Sequence, residues 1–530
     1  MALDFFAQKG LTTMVKKTII QKNNQCKMHK GYLWHVDIKK KRGKVMKQSS
    51  KRNLTMVMDL YELTMANGYF NDGDKTARVA FDVFYRKNPD RGGFAIFAGL
   101  EQIVEYIEDL HFSEEDVEYL RSLNTFTEDF LQYLKEFKFA GDVYAFPEGT
   151  IMYPNEPVIT VVAPVIDAQL VETGLLNLFN HQSLITTKAR RIVKAARGRA
   201  VADFGGRRAQ GIDAATYGAR AAVIGGAVGT ATVSAAQLFD LPCVGTMAHS
   251  WIMRYEDELT AFRKYAQMYP QNCVLLADTY DVLKSGVPNA IKVFDEMKAE
   301  GIPLTSFGIR LDSGDLAYLS RKARKKLDEA GYPDAKIVVS NSLDEYTITS
   351  LLDQGACIDS FGVGERLITA KSDPVFGGVY KICAVCENGT CLPKIKVSET
   401  PEKITNPGIK DVYRIFDETG HAVADLITKK DEKVDLTQPF RYVDPERPWK
   451  NRYFENCTAR KLQEKVIEKG RRLTPKKNIK ELADFVKMQL NQEIWPEEQR
   501  FENPHKHYLD MSPEYYELKM SLLHEMRDDL

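Results

Sequence analysis

The sequence carries no net charge, 73 Lys and Arg against 73 Asp and Glu, so it offers no whole-chain field to hold nucleic acid or a membrane surface. It lacks an apolar leader after Met1, and only Ala221 to Phe239 forms a long uncharged run. Nine of those 19 residues are Ala or Gly, too weakly apolar for a bilayer, so a close-packed helix or a phosphate-facing turn is expected there. Cysteine is sparse and scattered, eight residues at 26, 243, 273, 357, 383, 386, 391 and 457. That spacing excludes the framework of a small secreted scaffold and fits a reducing cytoplasm.

What is present is an ordinary globular composition, 44% hydrophobic and 28% charged over 530 residues, enough chain for two to four domains. The zero charge hides an asymmetry: residues 1–52 hold 14 Lys and Arg against Asp4 and Asp37, an excess of +12, and the remaining 478 sum to −12. Residues 1–52, with their KKKRGK run, read as a solvated basic extension. Residues 53–185 read as a mixed α/β domain, with helical spacing over 58–70, an alternating strand over 79–87 and short strands over 141–164.

From residue 186 to 375 apolar runs and helical stretches alternate. Taking His249, Asp278, Asp312, Asn341 and Glu365 as markers of strand ends, the separations are 29, 34, 29 and 24 residues, about one strand–helix unit each. The expected fold is an irregular parallel α/β barrel, TIM-like, with a mixed α/β domain built from the N-terminal part and the segment after the barrel. Residues 376–530 should supply antiparallel strands at VYRIF and HAVADLI and a charged helical tail from about Arg460. In a parallel sheet the carboxyl ends gather on one face, so distant motifs converge on one pocket.

Six motifs are candidates for chemistry. GIRLDSGDL places Arg310, Asp312, Ser313 and Asp315 where a strand opens a helix, fitting a ligand with anionic and hydroxyl parts or a magnesium ion. The competing reading is that Asp312 or Ser313 is merely a helix cap. GVGERLITAKSD offers Gly362 and Gly364, whose backbone amides could meet a phosphate, although two such glycines also make an ordinary tight turn. Arg207 and Arg208 in ADFGGRRAQG, with Lys188, Arg190 and Arg191 in HQSLITTKARR, suit an anionic substrate or surface pairing. His249 in GTMAHSWIM stands just past an apolar strand, as a structural group or a general acid or base. CAVCENGTC has CxxC spacing at Cys383 and Cys386 with a third cysteine, Cys391, but no fourth ligand nearby, so buried structural cysteines are expected over zinc.

DLYELTMANGYF, FYRKNPDRGGFAIFAGL, FGGRRAQGIDAATYGARAA, GTMAHSW, DTYDVLKSGVPNAI, GIRLDSGDL, VVSNSLDE and GVGERLIT together resemble the nicotinate phosphoribosyltransferases, type II phosphoribosyltransferases of NAD biosynthesis, over about residues 53–385. The resemblance implies an enzyme that joins nicotinate to 5-phosphoribosyl 1-pyrophosphate, giving nicotinate mononucleotide and pyrophosphate, with ATP hydrolysed through a phosphohistidine at His249. It further implies Arg310, Asp312 and Asp278 as catalytic partners of His249, and Tyr61, Thr246, Arg310 and Asp203 around the pyridine ring. Arg190, Arg207, Asp312, Gly362, Gly364 and Glu365 would line the phosphoribosyl pyrophosphate site. Tyr61 would reach in from the partner of a cytoplasmic homodimer. Magnesium would arrive with the substrates and not on a protein cluster, and neither nucleic acid nor membrane is an expected partner.

Two departures matter. Glu365 stands where other branches carry Thr, and a carboxylate repels a phosphate, so it should turn away or bind a cation. Asp203, an acid expected beside the base, would equally suit the amide of nicotinamide. A nicotinamide phosphoribosyltransferase and a non-catalytic barrel that binds phosphoribosyl ligands are the alternatives.

Overall fold

The computed structural model describes residues 52–528 except 74–75, 388, 435–439, 446, 448 and 450. The reading of residues 1–51 as a basic extension lies outside the described residues.

The strand Arg78–Tyr85 is buried along almost its whole length and pairs antiparallel on both sides, with Ile159–Pro164 and with Gly378–Glu387. Its alternating pattern would suit one wet face, but Phe81 and Val83 join the main core while Asp82, on the opposite face, is buried against Lys410, so the strand is covered on both sides. The full sheet has seven strands in the order 390–393, 378–387, 78–85, 159–164, 142–145, 464–468, 471–472. Segments from the two ends of the chain thus share one hydrogen-bonded layer. Phe81 and Tyr380, from neighbouring strands, stack at 4.5 Å between ring centroids.

The alternating middle of the chain folds as a five-stranded parallel sheet, in the order Ala200–Asp203, Ser360–Val363, Lys336–Ser340, Phe307–Leu311, Cys273–Leu276. Single parallel bridges extend it from Asp203 to Thr230 and from Thr230 to Cys243. Read around, the strands follow chain order, as a barrel would require. Pairing stops at Cys243, and among the described residues nothing joins it to Cys273–Leu276. Of the expected irregular barrel, the parallel sheet is present, and no hydrogen-bonded closure is seen among the described residues. The apolar run at LPCVGTMAHS makes only that one bridge, because Pro242 removes a ladder donor and Gly245 weakens strand pairing just beyond it.

A 24-residue helix, Glu172–Ala195, crosses the boundary expected at 185 and packs along the helix Ile212–Ile224. The Ala- and Gly-rich run behaves as a close-packed helix end: a Cβ on Gly225 would stand 2.6 Å from the Thr186 carbonyl. Among the described residues no helix is long and apolar enough to cross a membrane.

After the parallel sheet, Lys410–Phe416 and Ala422–Lys429 pair antiparallel within a second, six-stranded layer. The tail departs from expectation: residues 458–472 form three short strands, and the helix begins only at Ile479, where Asn478 caps it by accepting from Glu481 N at 2.8 Å. The cysteine motif also departs, since Cys386 and Cys391 face each other across a hairpin as a disulfide while Cys383 is buried and free.

Candidate active site

The strand Phe307–Leu311 delivers Arg310 to its carboxyl end, and the helix Leu316–Glu329 begins after a turn of four residues. The cap of that helix is Asp315, which accepts from Tyr318 N at 2.9 Å. Asp312 and Ser313 are consequently not spent on capping. Arg310 is held on three sides: Nε donates to Ser340 Oγ at 2.9 Å, Nη1 to Thr246 Oγ1 at 3.0 Å and the Met247 carbonyl at 3.3 Å, and Nη2 to Asp312 Oδ1 at 2.8 Å. Four of its five N–H donors are used inside the chain, leaving one on Nη2. The guanidinium also lies 5.4 Å from the centroid of the Phe204 ring, within reach of its π face.

Asp312 binds outward from this fork. The Ser340 hydroxyl donates to its Oδ1 in a short contact, while its backbone N–H and the Ser313 hydroxyl both donate to Asp278 Oδ2, at 2.8 and 2.6 Å. Burial pushes the Asp312 carboxyl up, but the Ser340 bond and the Arg310 charge outweigh it and hold the group below the usual range. Asp278 Oδ1 is buried without a hydrogen-bond partner. His249 opens the short helix His249–Met253, its Nδ1 3.1 Å from Thr279 Oγ1 and its Nε2 3.8 Å from Asp312 Oδ2, with 39% of the side chain exposed. An aromatic face, a nearly saturated guanidinium, two acids and an imidazole thus meet at the strand ends.

The rim continues at Gly362 to Glu365, the end of the strand Ser360–Val363 beside Ala200–Asp203. A Cβ on Gly362 would strike the Phe204 ring at 2.4 Å, so this glycine is what lets the aromatic sit where it does. Glu365 directs its carboxylate to Lys371 at 2.7 Å and stands 3.9 Å from Arg208; the Lys371 bond holds it below the usual range. Arg207 lies exposed in the turn after Ala200–Asp203, on the same face of the sheet.

Three expected residues lie outside this cluster within the chain, Tyr61 among them as one expected to act from a partner subunit. Asp203 is wholly buried, with Oδ1 accepting from Gly205 N at 2.8 Å and Oδ2 from Thr230 Oγ1 at 2.7 Å. Both oxygens hold the turn and the bridging strand in this fold. Arg190 belongs to a separate cavity beside the C-terminal loop. Tyr61, 44% exposed on the helix Leu60–Asn71, has burial and Glu172 as the main influences on its phenol and makes no contact with Arg310, Asp312 or His249 in its own chain.

Phe204, Ser340 and Thr279 do not stand out in the sequence. Phe204 sits inside ADFGGRRAQG but reads there as an ordinary strand residue. Ser340 ends a strand whose next two residues, Asn341 and Ser342, have φ of 84° and 49°, a left-handed strain that gathers at functional sites and that no sequence pattern announces.

Family models agree with this arrangement. Those for the nicotinate phosphoribosyltransferase N-terminal domain, the nicotinate phosphoribosyltransferase family and the C-terminal domain match residues 56–180, 199–440 and 409–519. The chain is 43% identical over 476 residues to a nicotinate phosphoribosyltransferase of Bacillus subtilis (strain 168), covering 90% of this chain and 96% of that protein. It is similar to the crystal structure of human nicotinic acid phosphoribosyltransferase, with a TM-score of 0.77 at 26% identity, over 88% of this chain and 99% of that one. A Pyrococcus furiosus nicotinate-nucleotide pyrophosphorylase structure also matches, with a TM-score of 0.63 at 25% identity, over 84% and 99%. With the same motifs meeting at the strand ends and the likeness running nearly end to end in both chains, the protein belongs to the nicotinate phosphoribosyltransferase family.

Proposed function

We propose that the protein joins nicotinate to 5-phosphoribosyl 1-pyrophosphate, releasing pyrophosphate, and that ATP hydrolysis is coupled to this through phosphorylation of His249. The observation that carries the reading is the Arg310 fork, held by Thr246, Ser340 and Asp312 beside the Phe204 ring. A pyridine carboxylate laid against Phe204 meets the remaining Nη2 donor and a charge whose position is fixed before substrate arrives. Asp203 is wholly buried and already accepts one bond on each oxygen, so the nicotinate reading rests on Arg310 and not on an acid at 203.

In the transfer the ring nitrogen attacks C1 of the ribose as the bond from C1 to the pyrophosphate oxygen breaks, and the electron pair leaves with pyrophosphate. This chain's share is orientation and charge: Arg310 and Phe204 fix the base, and Asp312 and Asp278 face the ribose side. The buried, unpartnered Asp278 Oδ1 and the outward Asp312 Oδ2 are hard oxygen donors that suit substrate-borne magnesium. Magnesium there would neutralise charge on the departing pyrophosphate. Backbone amides at Gly362 and Gly364 and the exposed Arg207 serve the phosphates, with Glu365 drawn off to Lys371.

Thr279 at Nδ1 orients the His249 ring and leaves Nε2 as the nucleophile toward the terminal phosphoryl group of ATP, the bond to the ADP oxygen breaking with its electron pair as the N–P bond forms. A phosphoryl group on Nε2 would face Asp312, itself tied to Arg310, so the two states of His249 present different fields to the same substrates. Coupling requires that difference. Tyr61, exposed on its own protomer, closes the pyridine site of a second copy in a homodimer. The test is turnover of nicotinate and nicotinamide with and without ATP, in wild type and His249→Ala. Nicotinate should be used, ATP should stimulate, and the variant should lose only the stimulation. Preference for nicotinamide, or an ATP response that survives in His249→Ala, would overturn the reading.

A further inference from the structure

Away from the catalytic cluster, the helix Glu172–Ala195 faces the loop at residues 498–501 across a small cleft. Thr187, Arg190, Arg191 and Lys194 line it, and their i, i+3, i+4, i+7 spacing puts them on one stripe of the helix. None of its lining residues belongs to the Arg310 and His249 cluster.

The charges in this cavity do not balance. Lys188 and Arg191 are matched by Asp90 and Glu345, with Arg191 Nε 2.8 Å and Lys188 Nζ 2.8 Å from Glu345. Arg500 leans on Glu497 at 3.4 Å. The one carboxylate on the wall, Glu498, spends its oxygens on the Tyr153 hydroxyl at 2.7 Å and His507 Nδ1 at 3.2 Å. Two cations remain. Lys194 donates to the Gln499 carbonyl and lies 5.9 Å from the centroid of the Phe501 ring, neither of which carries a counter-charge. Half-buried Arg190 has no hydrogen-bond or ion-pair partner among the described residues, and its Nε is sealed from solvent.

A guanidinium in that position is costly unless something anionic joins it. Burial lowers the Arg190 pKa, and burial together with Arg190, Arg191 and Arg500 brings Lys194 down to about 8, as expected of cations crowded without a counter-charge. The wall opposite is built to stay close: a Cβ on Gly93 would stand 2.2 Å from the Glu498 carbonyl, so only glycine lets the two loops meet there.

We infer that this cavity binds a phosphate dianion, as the free ion or as a phosphomonoester, between Arg190 and Lys194, at a site separate from the catalytic cluster. Two uncompensated positive charges match the charge of the dianion, and the planar Arg190 fork can grip two of its oxygens.

The experiment is calorimetric titration of the full chain with inorganic phosphate, using wild type, Arg190→Gln, Lys194→Gln, Arg190→Lys and Arg310→Lys. Arg190→Gln and Lys194→Gln should each lose one binding component or weaken it at least tenfold. Arg190→Lys should retain part of it, and Arg310→Lys should leave it intact. In chloride, Arg190→Gln should melt no lower than wild type, because it removes an uncompensated charge; added phosphate should then raise the melting temperature of wild type but not of the variant. Repeating the titration with ribose 5-phosphate separates the sources: competition assigns a phosphomonoester site, and its absence a site for the free ion. Unchanged phosphate binding in both Arg190→Gln and Lys194→Gln, or loss of every component in Arg310→Lys, would overturn the proposal.

Discussion

Two places in this molecule gather arginine, aspartate and histidine, and they use them in opposite ways. At the strand ends, Arg310, Asp312 and His249 sit half open, the His249 side chain 39% exposed, with one guanidinium N–H and one Asp278 oxygen unused. Behind the sheets, Arg414, Asp425 and His507 are sealed, each at most 1% exposed, with Arg414 Nη2 2.6 Å from Asp425 and His507 3.5 Å from the same carboxylate. Tyr153 stacks on His507 at 3.7 Å and Glu156 lies buried alongside. The first cluster leaves capacity where a ligand can reach it, while the second joins segments from residues 153, 414 and 507 and keeps its own atoms without a hydrogen-bond partner, Arg414 Nη1 and His507 Nε2, sealed from solvent. Residue types therefore do not identify a site; unspent donors and acceptors at a solvent boundary do.

The largest effect that could break this contrast belongs to the sealed cluster. Arg414→Met leaves Asp425 without its cation in the interior and should cost about 3–5 kcal/mol of unfolding free energy, read by denaturant titration. A variant as stable as wild type would mean the buried ions are not structural. Arg310→Lys should do the reverse. A lysine cannot span Thr246, Ser340 and Asp312 at once, so kcat/KM for nicotinate should fall by about a hundredfold, roughly 3 kcal/mol, with the melting temperature little changed. A large loss of stability would make the open site structural as well.

The smallest effect is in pH. Burial opposes charge on His507, but Asp425 and Glu498 outweigh it and raise its pKa above 6.5, while burial and then the Asp425 charge raise Glu156 well above its ordinary value. Both groups hold protons in the folded state that the unfolded chain releases. Their stabilisation is complete below the unfolded values and declines as pH rises through the folded ones. Unfolding free energy should thus fall from about pH 4.5 upward through Glu156 and from about pH 6.5 upward through His507 as well, by at most about 1.4 kcal/mol per pH unit for each proton, and His507→Gln should flatten the upper part of the fall. The profile of activity, set at the open site, should not follow it.

Much of the fold and site is legible in the residues alone. The rhythm of markers from His249 to Glu365 locates four of the five parallel strands, and GIRLDSGDL locates the charged strand end. Ala200–Asp203 escapes such a reading because four residues with three small side chains make a weak strand signal. Ring closure is equally hidden, since it depends on whether the segment around Cys243 reaches Cys273–Leu276, a matter of hydrogen bonds between segments 30 residues apart. The pattern also starts the helical tail too early, because the charged strands at 458–472 are edge and ribbon segments whose pairing is set by partners far away in the chain.

The sequence by itself determined which chemistry was available: the glycines at 362 and 364, the histidine at 249, and the spacing that brings acids to strand ends, because local backbone needs and alternation are written in neighbouring residues. Only the tertiary structure decided how each group is spent. Asp315 takes the cap and frees Asp312, Asp203 is used up inside the fold, and Arg190 faces a cavity away from the catalytic rim. Hydrogen-bond partners lie tens to hundreds of residues apart, and the cost of an unpaired buried charge is fixed by what surrounds it and not by its neighbours in the chain.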